Sequence, residues 1–158
     1  MFGKATQAVH WGGVKLTLHV LGAGASAAHV VAQAATPEGD AVFVGDLVNP
    51  DNHAWLELGT IDEGLKRLDE IKAMGAKRVY PGRGKAGGPE FLEQQAQYLR
   101  FVQALVQAEK PSGELGWLTK LKLQRAIEQQ YPHLGYALFM RDGLPAAWRI
   151  EAAKRLKP

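Results

Sequence analysis

Ala41-Val-Phe-Val-Gly-Asp46 runs apolar for four residues and then breaks at a glycine and a carboxylate. A strand with no polar face is normally covered on both sides, so Val42, Phe43 and Val44 are expected between two layers, with Asp46 at the strand's end. Upstream, Val14, Leu16, Leu18 and Val20 alternate with Lys15, Thr17 and His19, the period-two pattern of a half-buried strand. This is the first strand the pattern predicts. The small residues Gly22–Ser26 then turn the chain into another apolar run at His29–Ala35, closed by Thr36-Pro-Glu-Gly-Asp40.

Downstream the period becomes helical. Thr60-Ile-Asp-Glu63 is a capping-box pattern, followed by the stripe Leu65, Leu68, Ile71 and a left-handed stop at Gly75. Arg78-Val-Tyr80 reads as a short strand that ends at Pro81-Gly-Arg-Gly84. Pro89 opens a second helix with Leu92, Ala96, Leu99, Val102 and Val106 on its inner stripe. A third is predicted from Ser112-Gly-Glu-Leu115, carrying Leu115, Leu118, Leu121 and Leu123, and a last one from Pro145, with Trp148 and Ile150. Gly135–Gly143 carries no clear period.

Composition narrows the chemistry. The 158 residues hold 19 Lys+Arg, 16 Asp+Glu, no Cys and 46% hydrophobic residues, which suits one ordinary core and excludes disulfide frameworks, thiolate metal sites and cysteine nucleophiles. The basic residues gather in small groups (Lys77-Arg78, Arg83 and Lys85, Lys120 and Lys122, and the tail Arg149, Lys154, Arg155, Lys157) with no interleaved aromatics. That reads as a solvated surface and not as a nucleic-acid track. No apolar run reaches the roughly 18 residues of a membrane span, and the N-terminus lacks the apolar core of a secretion signal. A cytoplasmic protein without membrane or nucleic-acid partners is the expectation.

From about Val14 to Glu109 the order of segments resembles the C-terminal half of a metallo-β-lactamase-fold hydrolase. The resemblance rests on the strand into Gly22–Ser26, His29-Val-Val31, Val42-Phe-Val-Gly-Asp-Leu-Val48, the Asn49–Trp55 loop, a capped helix, Arg78-Val-Tyr-Pro-Gly-Arg-Gly84, and a helix containing Tyr98-Leu-Arg100. In that family the complete domain is a four-layer αβ/βα sandwich of two similar halves, with a metal site where the sheets meet. The resemblance therefore implies an α/β (α+β) fold: half of such a sandwich, with a small mixed sheet, helices on one face and a C-terminal helical tail. Residues 1–110 would form the sheet-and-helix unit and 111–158 a helical extension packed on it, as a single domain overall. The family's N-terminal half, with its His-x-His-x-Asp-His motif, has no counterpart in this sequence.

The resemblance also locates the metal ligands of the C-terminal half. The family's histidine after the first of these strands corresponds to Ala25, its bridging aspartate is kept as Asp46, and its final histidine, in Pro-Gly-His-Gly, corresponds to Arg83. Asp46 is the only retained ligand position. A hydrolytic zinc needs about three protein ligands, and a guanidinium keeps its positive charge in proteins. An Asp46–Arg83 ion pair in place of a metal is expected, with no cofactor.

A half sandwich leaves one apolar sheet face wet, at a cost of roughly 25 cal/mol per Å². The expected remedy is a homodimer packed sheet against sheet. The alternative is that the C-terminal helices, with Leu115, Trp117, Leu118, Leu121, Leu123 and Trp148, fold back over it.

The ligand-binding candidates are Asp46, Asp51, His53 and Arg83. The loop from Asp46 to His53 gathers two carboxylates and an imidazole, which suits a weak divalent metal or a small-molecule ligand, although a plain polar turn is favoured. His53-Ala-Trp55 occurs in members of the family as part of a pocket-lining loop. His19 and His29 read as structural histidines, and Ser26 lacks the setting of a nucleophile. Gly82–Lys85 with Gly87-Gly88 could cradle phosphate through its amides, or be a turn whose glycines serve the backbone. Together these point to a non-catalytic or vestigial protein, a homodimeric scaffold or a small-ligand or partner-binding module. The alternative is a metal-dependent ester or amide hydrolase whose site is shared across a dimer or completed by a partner chain.

Overall fold

A computed structural model describes residues 6–156. Met1–Ala5 and Lys157, the last cation of the basic tail, lie outside the described residues. Five strands form one sheet in sequential order: β1 (Thr6–Trp11), β2 (Val14–Leu21), β3 (His29–Ala34), β4 (Ala41–Gly45) and β5 (Arg78–Pro81). The first four pair antiparallel, and β5 joins β4 in parallel after the crossover helix α1 (Ile61–Lys72). Three helices follow: α2 (Glu90–Ala108), α3 (Trp117–Gln130) and α4 (Ala137–Arg155). The fold is mixed α/β, and among the described residues no helix is long and apolar enough to cross a membrane.

The helix α1 starts where its capping box dictates. Thr60 Oγ1 accepts the Glu63 amide at 3.1 Å, and Glu63 reaches back to the Thr60 amide at 3.3 Å. Its apolar stripe and that of α2 then meet the sheet. Val31, Val42, Val44 and Val79 belong to one buried cluster with Leu68, Ile71, Leu92, Leu99, Val102 and Val106. The same cluster continues through Leu123, Ile127, Met140, Leu144 and Trp148, so the C-terminal helices share the core of the sheet unit.

The other sheet face is bare. Cross-strand register puts Leu18, Ala32, Phe43 and Tyr80 side by side, flanked by Leu16 opposite Ala34 and Val20 opposite Val30. Phe43 stacks on Tyr80 with ring centroids 4.8 Å apart, yet it stays 45% exposed, and Val30 is 60% exposed. The expectation that β4 is covered on both sides therefore fails within the chain: Val42 and Val44 are buried, and Phe43 between them is open. Nor do the C-terminal helices fold back over this face. They pack on α2 and on each other, on the opposite side of the sheet.

Three element boundaries differ from expectation for identifiable reasons. A strand, β1, precedes Val14. It joins β2 through Gly12-Gly13, both at positive φ (57° and 79°), as a two-residue hairpin requires. Its residues are nearly all exposed, so no apolar alternation announces it. The helix α3 begins at Trp117 rather than Ser112 and buries Leu123 and Ile127, whereas Leu118 is 64% exposed. Finally, α4 runs through Pro145 instead of starting there. An interior proline removes one helical hydrogen bond and costs about 3 kcal/mol. Burial on both sides of it, by Met140 and Leu144 before and Trp148 after, offsets that cost. Gly143 allows α4 to lie against Leu56, since a Cβ there would be 2.5 Å from that residue's Cβ.

Candidate functional site

The site forms where the turns after β4 and β5 meet. Gly45 takes a positive φ of 57° and delivers Asp46 to the sheet's edge. The Gly82 amide donates to the Gly45 carbonyl at 2.9 Å, holding the two turns together. A Cβ on Gly82 would stand 3.1 Å from both the Gly45 carbonyl carbon and Asp46 Oδ1. This close approach carries Arg83 to Asp46, and Arg83 Nη1 donates to Asp46 Oδ1 at 2.8 Å. The guanidinium carbon also lies 5.4 Å from the centre of the Phe139 ring, and Trp55 meets Phe139 edge to face at 4.8 Å. These side chains, with Ala25, Ser26, His29 and Leu58, line a cleft of about 360 Å³.

His29 reaches this cleft from the start of β3. Its Nε2 accepts the Ser26 amide at 3.0 Å, which places its proton on Nδ1 in the neutral ring. Burial holds His29 below the ordinary imidazole range, outweighing the neighbouring Asp46, which raises it, while Arg67 adds to the lowering. Ser26 Oγ lies 3.3 Å from His29 Nε2 but donates to the Ala28 carbonyl at the shorter distance of 2.8 Å, and the Ser26 amide already occupies that imidazole nitrogen. The pair therefore closes a local turn and does not form an activated nucleophile.

The four residues singled out in the sequence do not converge. Asp46 and Arg83 meet in the cleft. Asp51 lies beyond the turn from Gly82 to Lys85 and accepts the Lys85 amide at 3.3 Å. His53 is 1% exposed, and its Nδ1 lies 2.9 Å from the Tyr98 hydroxyl, away from the cleft. Burial lowers the His53 pKa, against a raising influence from Glu128 and with a further lowering from His133. Trp55, from the same loop, does face the cleft. Phe139 and His29 complete it: Phe139 lies in the stretch without a period, and His29, read from the sequence as structural, arrives at the start of β3.

The cleft offers a catalytic metal few side-chain donors. Among the described residues Asp46 is the only carboxylate lining the cleft and His29 the only imidazole; the Ala25 side chain offers no donor, and Asp46 Oδ1 is already held by a permanent cation. Among the described residues no three His, Asp or Glu side chains gather as a metal would require. Phosphate cradling fares no better. The amides of Gly82, Lys85, Gly87 and Gly88 donate to Gly45 O, Asp51 Oδ2, Val79 O and Glu90 Oε1 respectively.

Neither a family model nor a curated protein matches this chain. Among solved structures, the metallo-β-lactamase from Pontibacter korlensis matches with a TM-score of 0.54 over 61% of this chain, at 21% sequence identity. The chain has a metallo-β-lactamase-like fold. It spans 46% of the length of that structure, and at this identity the likeness concerns the fold alone.

Proposed function

We propose that this chain is a non-catalytic, metallo-β-lactamase-like module that binds a small molecule in the Asp46–Arg83 cleft and works as a homodimer. The observation that carries this reading is the 2.8 Å contact between Arg83 and Asp46. It lies at the position where the resemblance puts a metal-bridging carboxylate and a final histidine. With a guanidinium there, the neighbourhood repels a dication and presents hydrogen-bond donors instead. An aromatic wall of Trp55 and Phe139 beside a few polar groups is the usual make-up of a small-molecule site.

The homodimer follows from the bare sheet face. Leu16, Leu18, Val20, Val30, Phe43 and Tyr80 carry no charge among them, and each 100 Å² withdrawn from water contributes roughly 2.5 kcal/mol. A second copy brings an identical face, and a twofold axis pairs the two sheets.

Metal analysis of protein purified without chelators, combined with sedimentation at micromolar concentration, tests both parts. The expected result is a dimer holding far less than one metal ion per chain. Zinc, manganese or iron near one ion per chain or per dimer would replace this reading with that of a metal-dependent hydrolase. A stable monomer would remove the dimer.

A further inference from the structure

We infer that the Asp46–Arg83 cleft takes a zwitterionic ligand of the α-amino-acid type, with an apolar or aromatic side chain. The inference rests on the small-molecule reading above and names the ligand class of that site. It starts from how the ion pair is made. Contact runs through a single pair of atoms, Arg83 Nη1 and Asp46 Oδ1. Among the described residues, Asp46 Oδ2 and the remaining guanidinium N–H groups have no other partner. The open pair thus presents one acceptor and several donors side by side.

Charge selects the ligand. Arg83 and Asp46 are the two charged side chains lining the cleft, and His29, held below its ordinary range by burial, adds none near neutrality. A simple carboxylate would gain from Arg83 and be repelled by Asp46 at nearly the same distance. A simple amine would meet the reverse. A molecule carrying both charges on neighbouring atoms avoids either penalty: its carboxylate accepts a forked pair of bonds from the free guanidinium nitrogens, and its ammonium donates to Asp46 Oδ2. Little is lost in opening the existing contact, because the two side chains are 42% and 47% exposed and surface pairs of this kind are weak.

Size and lining set the rest. The cleft of about 360 Å³ lies at the small end of ligand sites. Trp55, Phe139 and Leu58, the last 65% exposed, give an apolar wall beside the ion pair for the side chain to cover.

The test is a calorimetric titration of the full chain with L-phenylalanine, N-acetyl-L-phenylalanine and L-phenylalanine amide, the last two each lacking one charge. The expected result is saturable binding of the amino acid, at least tenfold tighter than either analogue. Arg83→Gln and Asp46→Asn should each weaken it about tenfold, with circular dichroism unchanged. Equal binding of the acetylated analogue would make this an anion site and overturn the inference. Equal binding of the amide would make it a cation site, with the same consequence. Absence of saturable binding by all three would overturn the ligand class as well. Metal content of the same preparation separates this from the reading beneath it. A bound ion would overturn the non-catalytic reading, whereas failure of the metal-free protein to bind amino acids overturns the ligand class alone.

Discussion

Val42 and Phe43 are neighbours in one strand and live in different surroundings. Val42 is fully buried against the helices, and Phe43, pointing the opposite way, is 45% exposed on the other sheet face. Sequence alone makes them look equivalent, because both belong to one unbroken apolar run. The difference teaches that an all-apolar strand predicts two covered faces without saying that one chain supplies both covers.

Substitution at these two positions offers the most direct way to break the comparison. Val42→Asp buries a carboxylate with no partner and is expected to cost more than about 4 kcal/mol, so that the chain does not fold cooperatively in urea. Phe43→Asp is expected to cost the isolated chain about 1 kcal/mol, mainly the stacking on Tyr80, while shifting sedimentation from dimer to monomer. If both variants unfold the chain alike, the second face is not an open one.

The contrast between covered and open surface extends to the ion pairs. Glu151, 4% exposed, accepts hydrogen bonds from Gln103 and Gln107 at 3.0 and 2.8 Å and from Lys154, tying α4 to α2. Burial alone would raise the Glu151 pKa, but bonds from Lys154, Gln107 and Gln103 outweigh it and leave the carboxyl below its ordinary value of 4.5. Asp62, bonded to the same Lys154 and Gln103, is lowered too. In the unfolded chain these groups take up protons first as pH falls. Their contribution is therefore complete above about pH 4.5 and lost as pH drops through the lower folded values. Glu151→Gln is expected to cost about 1–3 kcal/mol at neutral pH and to flatten the acid limb of a stability-versus-pH curve measured by denaturation. The exposed pair behaves otherwise: Arg83→Gln should change stability by less than about 0.5 kcal/mol in the same assay, the smallest effect of the series.

How much of this was legible beforehand depends on where the signal resides. The strands β2, β3 and β4 and the helices α1 and α2 carry their own periods and caps, so local sequence places them. The strand β1 does not, because it exists through pairing with β2 and has almost no buried side chain to mark it. Pro145 misleads in the other direction, since a residue that usually opens helices sits inside one stabilised by tertiary burial. At the cleft, the contact between Asp46 and Arg83 was legible through the resemblance, as glycines bring their two turns together. The direction of His53 was not, because membership of a loop says nothing of direction: two residues along, Trp55 faces the cleft while His53 turns inward to Tyr98.

That inward turn gives the molecule an optical property. Burial, with a smaller contribution from nearby Tyr131, raises the Tyr98 phenol far above the ordinary tyrosine value, although a backbone bond to Ala54 works slightly against this. Its ionisation is thus coupled to opening of the interior. In an alkaline titration followed near the phenolate absorption band, the Tyr98 signal appears only as the α2 region comes apart. One native side chain thereby reports loss of the core without any added label.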